Sequence, residues 1–221
     1  MFKIFNSAGA PVLDEMTLLY HVVHEQRVAK KGTIVKVPIV SVAPLIAVTE
    51  GAAELLRTYD GFHFIKVHFD NTNFLVITHN PPPRPGEGLR IKNATGETIV
   101  DSSYPIMRKH EIVNIRTWQL NGAAGQNVTT DDGKFTYKAS TGLIEANYMQ
   151  VPSGALINYG STATYAKYLN STEYYTMYVA GVIGKRVVFL PKMAPYTQWS
   201  HPMSNGAATL VLNGALGVCD I

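Results

Sequence analysis

Residues 2–14 read FKIFNSAGAPVLD and residues 89–101 read LRIKNATGETIVD, a match at a constant offset without gaps. The apolar positions coincide, and three polar or turn-forming positions are identical: Asn6 with Asn93, Gly9 with Gly96, and Asp14 with Asp101. Self-similarity at a fixed offset indicates a repeated structural unit, so we interpret the match as a duplication. The alternative is that two hairpins of similar composition arose independently.

The repeated stretch has the pattern of a β-hairpin. Phe2 and Ile4 alternate with Lys3, which gives one buried and one solvated face at period two. In the Asn-x-x-Gly step that follows, asparagine can bond to its own backbone and glycine can take the positive φ of a tight turn. Val12-Leu13 and Ile99-Val100 are the apolar return strands. The sequence therefore predicts the same hairpin twice.

A proline-rich stretch, NPPPRPGEG at residues 80–88, divides the chain. Proline has no backbone N–H to give to a sheet and favours an extended conformation, so the stretch predicts a stiff, exposed linker. We accordingly predict an N-terminal β module at residues 1–79 and a C-terminal β module at residues 89–221. Each module opens with one copy of the hairpin.

Short β-branched and aromatic runs separated by glycine, proline and asparagine fill both modules. This pattern predicts an all-β fold, with modules resembling β-sandwiches or barrels. Two further hairpins are predicted, one with its turn at 70–72 between the runs 62–69 and 73–78, and one around Gly184. Residues 52–57 alone carry helical propensity, enough for a turn or two.

Composition narrows the function classes. Hydrophobic residues make up 46% of the 221 residues and charged residues 16%, which is typical of a globular chain, and a net charge of +3 is too small for a nucleic-acid binder. The single cysteine, Cys219, cannot form an intrachain disulfide, and we expect it in a mobile tail. The N-terminus lacks the pattern of a secretory signal, and no apolar run approaches about 18 residues, so we expect cytoplasmic synthesis and no membrane insertion.

The sequence contains no recognisable pattern of catalytic, cofactor-binding or metal-binding residues. His21 and His24 would share a face only in a helix, and His63 and His68 fall on opposite faces of one strand. Neither a G-x-S-x-G elbow nor a phosphate-binding glycine loop is present, and the acidic residues are dispersed. We therefore predict a protein that is not an enzyme and needs no cofactor.

Tyrosine is the unusual residue, with twelve copies concentrated in the second half of the chain. Its rigid apolar ring and polar hydroxyl suit recognition surfaces. In a strand, Tyr174 and Tyr178 share one face while Tyr175 takes the other, so part of the set must be core. The candidates for contact with a partner or glycan are Tyr174, Tyr175, Tyr196 and Trp199.

The stretch GLRIKNATGETIVDSSY at residues 88–104 resembles the opening of small tail-associated virion proteins of tailed bacteriophages. One departure is that Phe2 follows Met1 directly, without the glycine that precedes Leu89. The resemblance implies a structural protein of a tail tip, fibre base or attachment apparatus, made in the bacterial host cytoplasm and located in the virion. It transfers no functional residue, because the motif is a scaffold.

The expected partners are other virion proteins and further copies of the chain, with no nucleic acid among them. A capsid decoration protein is the close variant of this prediction. The alternative from another class is an adhesin-like carbohydrate- or receptor-binding module, in which exposed tyrosine and tryptophan contact a host-surface glycan or receptor.

Overall fold

Strand-forming sequence runs through the whole described chain. The computed structural model describes residues 3–5, 7–9, 11–14, 19–41, 43–85, 88–107, 109–123, 127–138, 140–159, 162–168, 173–192 and 207–220. The strands form several sheets and no closed barrel, and the predicted all-β class is confirmed. These ranges contain no helix that is long and apolar enough to cross a membrane.

Nineteen strands are present in the described residues. They are β1 (Lys3–Phe5), β2 (Pro11–Asp14), β3 (His21–Val28), β4 (Ile34–Pro38), β5 (Leu45–Glu50), β6 (Ala53–Tyr59), β7 (Phe62–Val67), β8 (Thr72–Thr78), β9 (Arg90–Lys92), β10 (Thr98–Asp101), β11 (Lys109–Ala123), β12 (Val128–Thr129), β13 (Phe135–Lys138), β14 (Leu143–Gln150), β15 (Ala155–Asn158), β16 (Thr162–Tyr168), β17 (Glu173–Ile183), β18 (Arg186–Lys192) and β19 (Ala207–Asp220).

The two copies of the repeated stretch form the same antiparallel hairpin, as the sequence predicts. The facing pairs are Lys3 with Asp14, Ile4 with Leu13 and Phe5 with Pro11 in the first copy, and Arg90 with Asp101, Ile91 with Val100 and Lys92 with Thr98 in the second. Both copies skip one residue of the return strand at the same place. Gly9 and Gly96 take φ values of 78° and 84°, the left-handed conformation that glycine makes accessible.

The largest sheet has twelve strands and crosses the proline-rich stretch. Its order is β12-β13-β14-β18-β17-β16-β19-β15-β5-β8-β3, with β11 also paired to β19. The junction is the antiparallel pair of β15 with β5, where Leu156 lies opposite Val48. Residues before 80 and after 88 therefore share one hydrogen-bonded sheet, and the division into two modules stays a prediction.

The main hydrophobic core also draws on both parts of the chain. It lies between the twelve-stranded sheet and a three-stranded sheet of order β4-β7-β6. From the three-stranded sheet come Val35, Val37, Ala53, Ile65 and Val67, and from the large sheet come Ile46, Phe74, Val76, Phe135, Ile144, Leu156, Phe189 and Leu216, among others. Burial of these side chains fixes one face of the small sheet and leaves the other toward solvent.

The proline-rich stretch is partly packed rather than fully exposed. Pro81 is buried, and the Pro82 carbonyl accepts a hydrogen bond from the Tyr104 hydroxyl at 3.1 Å. The Arg84 guanidinium carbon lies 5.5 Å from the centre of the Tyr104 ring. Among the described residues of the predicted linker, Asn80, residues 83–85 and Gly88 are exposed, whereas Pro81 and Pro82 pack near the second hairpin.

The predicted hairpin with its turn at 70–72 is wrong. β7 belongs to the three-stranded sheet, whereas β8 pairs with β3 and β5 in the large sheet. At the crossing, the buried Thr72 hydroxyl donates to the Phe69 carbonyl at 2.7 Å and accepts from the Ala52 N–H at 3.2 Å. These bonds fix the start of β8 next to residues 52 and 69. From there β8 pairs with β3 and β5, whereas β7 pairs with β4 and β6.

Two other local predictions are wrong, and one is confirmed. Residues 53–59 form β6 rather than a helical turn, because Ala53 fills the core and the strand pairs with β7.

Cys219 is not in a mobile tail: it lies in β19, only 1% exposed, and burial raises the pKa of its thiol to about 11. The hairpin around Gly184 is present, with β17 paired to β18.

Candidate functional site

The solvent side of the three-stranded sheet carries side chains in three rows. Side chains at facing positions of neighbouring strands share a face, so the register defines the rows directly. They are Pro38, Phe62 and Tyr59; Lys36, Phe64 and Arg57; and Ile34, Lys66 and Glu54. We call these nine residues the aromatic–cationic face.

Exposed apolar side chains are concentrated in this part of the molecule: Ile34, Tyr59 and Phe62 belong to the face, and Ile39 and Leu56 lie beside it in the sequence. Nine large hydrophobic residues are exposed among the described residues, and five of them lie on or directly after the strands of this sheet: Ile34, Ile39, Leu56, Tyr59 and Phe62. Tyr59 is 66% exposed and Phe62 38% exposed. Single exposed hydrophobic residues are common, but a cluster of them marks an interaction surface.

The middle row places two cations over one aromatic ring. The Lys36 ammonium lies 5.6 Å and the Arg57 guanidinium carbon 4.8 Å from the centre of the Phe64 ring. A cation over an aromatic face is attracted by the ring quadrupole, and this contact restrains both long side chains. Within the part of the chain that the structure describes, neither cation has an ion pair or a hydrogen-bond partner.

The acidic residue of the third row is already engaged. The Glu54 carboxylate lies 2.8 Å from His68 Nε2, in a contact where both side chains are largely buried. Lys66 faces Glu54 across the strands. The Glu54 carboxylate therefore has His68 as a partner, and Lys36 and Arg57 form no ion pair among the described residues.

A buried histidine supports the face from below. His63 is fully buried; its Nδ1 lies 2.8 Å from the Thr58 hydroxyl, and its Nε2 accepts a 3.4 Å hydrogen bond from the Val40 N–H. Since Nε2 accepts, the proton of the neutral ring is on Nδ1. Burial lowers the pKa of His63, which keeps the ring neutral. The histidine thus joins β7 to β6 and to the segment after β4.

A second cluster of polar side chains lies at the second hairpin. Asp101 is 2% exposed and accepts from Arg90 Nε at 2.8 Å and from the Ser103 N–H at 3.0 Å. The Asp101 N–H donates to Nε2 of the buried His21 at 3.1 Å. Burial alone raises the pKa of Asp101, but the bonds from Ser103 and Arg90 and the charge of Arg90 outweigh it and lower that pKa.

This cluster has the features of a structural network and not of a reactive site. Its carboxylate is saturated by donors, and His21 accepts from a backbone N–H, so its Nε2 is not available as a base. Burial lowers the pKa of His21, with the Asp101 charge opposing. The bond from Asp101 to His21 joins the hairpin to β3, the edge strand of the large sheet.

Two of the four sequence-predicted contact residues lie in the described part of the chain. Tyr174 and Tyr175 lie in β17, with their backbones opposite Ala166 and Tyr165 of β16. Tyr178 of the same strand is buried in the main core. Tyr196 and Trp199 lie outside the described residues. A contact role for these four residues stays a prediction.

No cluster of three or more His, Cys, Asp or Glu side chains with the spacing of a metal site occurs among the described residues. Two open clefts have polar linings, and neither contains a buried reactive pair. One, of about 470 Å³, is lined by Glu25, Gln26, Arg27, Thr49, Glu50, Asn71 and Asn73. The other, of about 240 Å³, is lined by Glu145, Ala146, Asn147, Gln150 and Arg186.

Sequence reasoning missed the aromatic–cationic face, although part of its signal is visible. In Phe62-His63-Phe64-Ile65-Lys66 the alternation puts Phe62, Phe64 and Lys66 on one face and His63 with Ile65 on the other. Two aromatic residues and a lysine on the solvent side of a strand are a signal for contact. What the sequence does not contain is the pairing that brings Lys36 and Arg57 to the same ring.

Comparison with known protein families, curated proteins and solved structures finds no match for this chain.

Proposed function

We propose that this protein is a structural virion protein of a tailed bacteriophage, part of the tail tip, fibre base or attachment apparatus. It is made in the bacterial host cytoplasm and acts by docking onto other virion proteins and further copies of itself. The observation that supports this proposal best is the repeated hairpin. The motif that resembles tail-associated proteins forms the same hairpin, in the same register, at both of its positions.

The hairpins also offer a means of docking. Among the described strands, β1 pairs with β2 alone and β9 with β10 alone. In the second hairpin the outer side of β10 is occupied, because the Thr98 N–H donates to Asn80 Oδ1 and the Asp101 N–H donates to His21 Nε2. Its partner β9 is the exposed strand of this hairpin. An exposed strand edge can accept a strand from a neighbouring subunit through main-chain hydrogen bonds. A protein that assembles in this way needs neither a reactive site nor a cofactor.

The test is to locate the protein in particles. Tailed phage particles from cells that encode the chain would be purified by density banding, analysed by peptide mass spectrometry and labelled with antibodies for electron microscopy. We expect several copies per particle and label at the tail. Particles that lack the protein, while the infected-cell lysate contains it, would refute the proposal.

A further inference from the structure

We propose that the aromatic–cationic face binds an acidic polysaccharide built from uronic-acid sugars. Sugar rings would lie over Tyr59 and Phe62, and the sugar carboxylates would bind Arg57 and Lys36. This inference depends on the chemistry of the face and not on the virion role, so either proposal can fail without the other.

The first row of the face suits a sugar ring. A pyranose has an apolar C–H surface and a polar hydroxyl rim, and an exposed aromatic ring matches the first while a phenol hydroxyl can bond to the second. Tyr59 and Phe62 face each other on adjacent strands and are 66% and 38% exposed. With Pro38 on the other side of Phe62, they form a continuous apolar strip at the end of the sheet.

The middle row suits carboxylates. The Arg57 guanidinium can donate two parallel hydrogen bonds to one carboxylate, and its contact with the Phe64 ring at 4.8 Å restrains it before binding. Less side-chain entropy is then lost when the ligand arrives. Lys36 lies on the opposite side of Phe64, two strand spacings or about 10 Å from the Arg57 strand. Two separated cations match an acid group on successive or alternate sugars.

A nucleic acid is a poorer match for this face. A strand of B-form DNA carries a phosphate about every 3.4 Å, whereas rows of side chains on one face of a sheet are about 7 Å apart. The face has three cations, Lys36, Arg57 and Lys66, in two of its three rows, and the exposed Asp60 lies at the turn beside the aromatic row. A densely charged polymer would meet too few cations.

A second copy of the same face is also a poorer match. A two-fold contact brings identical surfaces together, so Lys36 and Arg57 of both copies would be removed from water at one interface. Two acidic residues lie near the face in the sequence. Asp60 is exposed in the turn between β6 and β7, and the Glu54 carboxylate is in contact with His68 Nε2. The charges of the face are therefore complementary to an acidic partner rather than to another copy of the face.

The experiment measures binding of the purified full-length chain to polygalacturonate and to alginate by isothermal titration calorimetry, with dextran as the neutral polymer. We expect binding to at least one of the two acidic polymers, little to dextran, and weaker binding as salt rises. Arg57→Gln should reduce the affinity about tenfold and Tyr59→Ala about fivefold.

Matched variants at other surfaces control for general effects. Arg27→Gln removes an exposed arginine from β3, and Tyr148→Ala removes a 44% exposed tyrosine whose ring lies 5.9 Å from the Lys134 ammonium. Both should bind within about twofold of the unaltered protein, because neither touches the face. Urea unfolding of every variant establishes that it is folded.

Four results would overturn the proposal. They are no binding to either acidic polymer, equal binding to dextran, equal losses in the face and control variants, and tighter binding of a thymidine oligonucleotide that the face variants abolish. Native mass spectrometry adds a further decisive case: an oligomer that Tyr59→Ala converts to monomers would assign the face to subunit contact instead.

Discussion

Three small sheets lie outside the twelve-stranded sheet in the described residues, and the two that contain an arginine give it different partners. In the second hairpin, Arg90 is paired with the buried carboxylate of Asp101, with Arg90 Nη2 2.7 Å from Asp101 Oδ2. In the three-stranded sheet, Arg57 lies over Phe64, and no carboxylate of the described residues pairs with it. A buried histidine, His21 or His63, supports each of these two sheets.

Arg90 therefore has a charged partner within the folded chain, whereas Arg57 has an aromatic contact and no ion pair among the described residues. A buried carboxylate that is saturated by donors is costly to leave without them, because its charge then lacks a partner in a site that excludes water. A restrained but unpaired cation at the surface contributes little to folding, yet it presents an ordered donor to an incoming anion. The hairpin is therefore a structural joint, and the face is a surface available for binding.

The largest effect is expected from removing the hairpin carboxylate. Asp101→Ala deletes the acceptor for Arg90 and Ser103 and should lower the free energy of unfolding by about 3 kcal/mol, measured by urea denaturation. Asp132→Ala is the matched control, since Asp132 accepts similar bonds from Thr130 and Lys134 at an exposed turn. An equal loss in both variants would contradict the distinction between buried and exposed networks.

The next effect is a loss of stability in mild acid. Burial lowers the pKa of His21 and of His63 in the folded protein below the ordinary value of 6.5, so the unfolded chain binds protons first as the pH falls. Stability is therefore complete above pH 6.5 and declines as the pH falls from there through the folded values. The slope is at most about 1.4 kcal/mol per pH unit for each histidine.

Urea midpoints between pH 5 and pH 8 measure this slope. His63→Gln and His21→Gln should each flatten it, and the first should act through the three-stranded sheet and the second through the hairpin. A slope that is unchanged in both variants would show that other groups carry the acid sensitivity.

The sequence pattern predicted correctly those turns and hairpins that depend only on residues close together in the sequence. The Asn-x-x-Gly hairpins and the turn at Gly184 need only alternating side chains and a glycine at positive φ, so both follow from the sequence. The run 62–78 looked like another such hairpin. Its strands diverge because buried bonds of Thr72 direct β8 into the large sheet, and those partners are distant in sequence.

The candidate site could be predicted only in part, for the same reason. The alternation of Phe62, Phe64 and Lys66 is local and visible in the sequence. The presence of Lys36 and Arg57 on either side of Phe64 depends on the pairing of three strands and on a bulge in β6. The number of tyrosines in the second half of the chain is visible in the sequence. Which side chains are exposed on the aromatic–cationic face instead depends on which side of the three-stranded sheet packs against the core.

A smaller effect is expected from the turns of the two sheets, which should respond alike. Gly96 in the second hairpin and Gly61 between β6 and β7 have φ values of 84° and 77°, and an added Cβ meets nothing within 4 Å at either position. Gly96→Ala and Gly61→Ala should each lower the free energy of unfolding by about 1 kcal/mol, from backbone strain alone. A loss above about 3 kcal/mol at either position would indicate a packing role that the open space does not provide.

The smallest effect, and the sharpest contrast between the two sheets, concerns the arginines themselves. Arg57→Gln should change the free energy of unfolding by less than about 0.5 kcal/mol, as expected for a surface position whose charge contacts an aromatic ring but has no ion pair. Arg90→Gln should lower it by about 1–2 kcal/mol, because the buried Asp101 loses a charged donor. The two variants differ only in what the arginine touches, so urea denaturation at pH 7.5 compares them directly. If Arg57→Gln were as destabilising as Arg90→Gln, the face would be part of the scaffold, and its cations would not be free for a ligand.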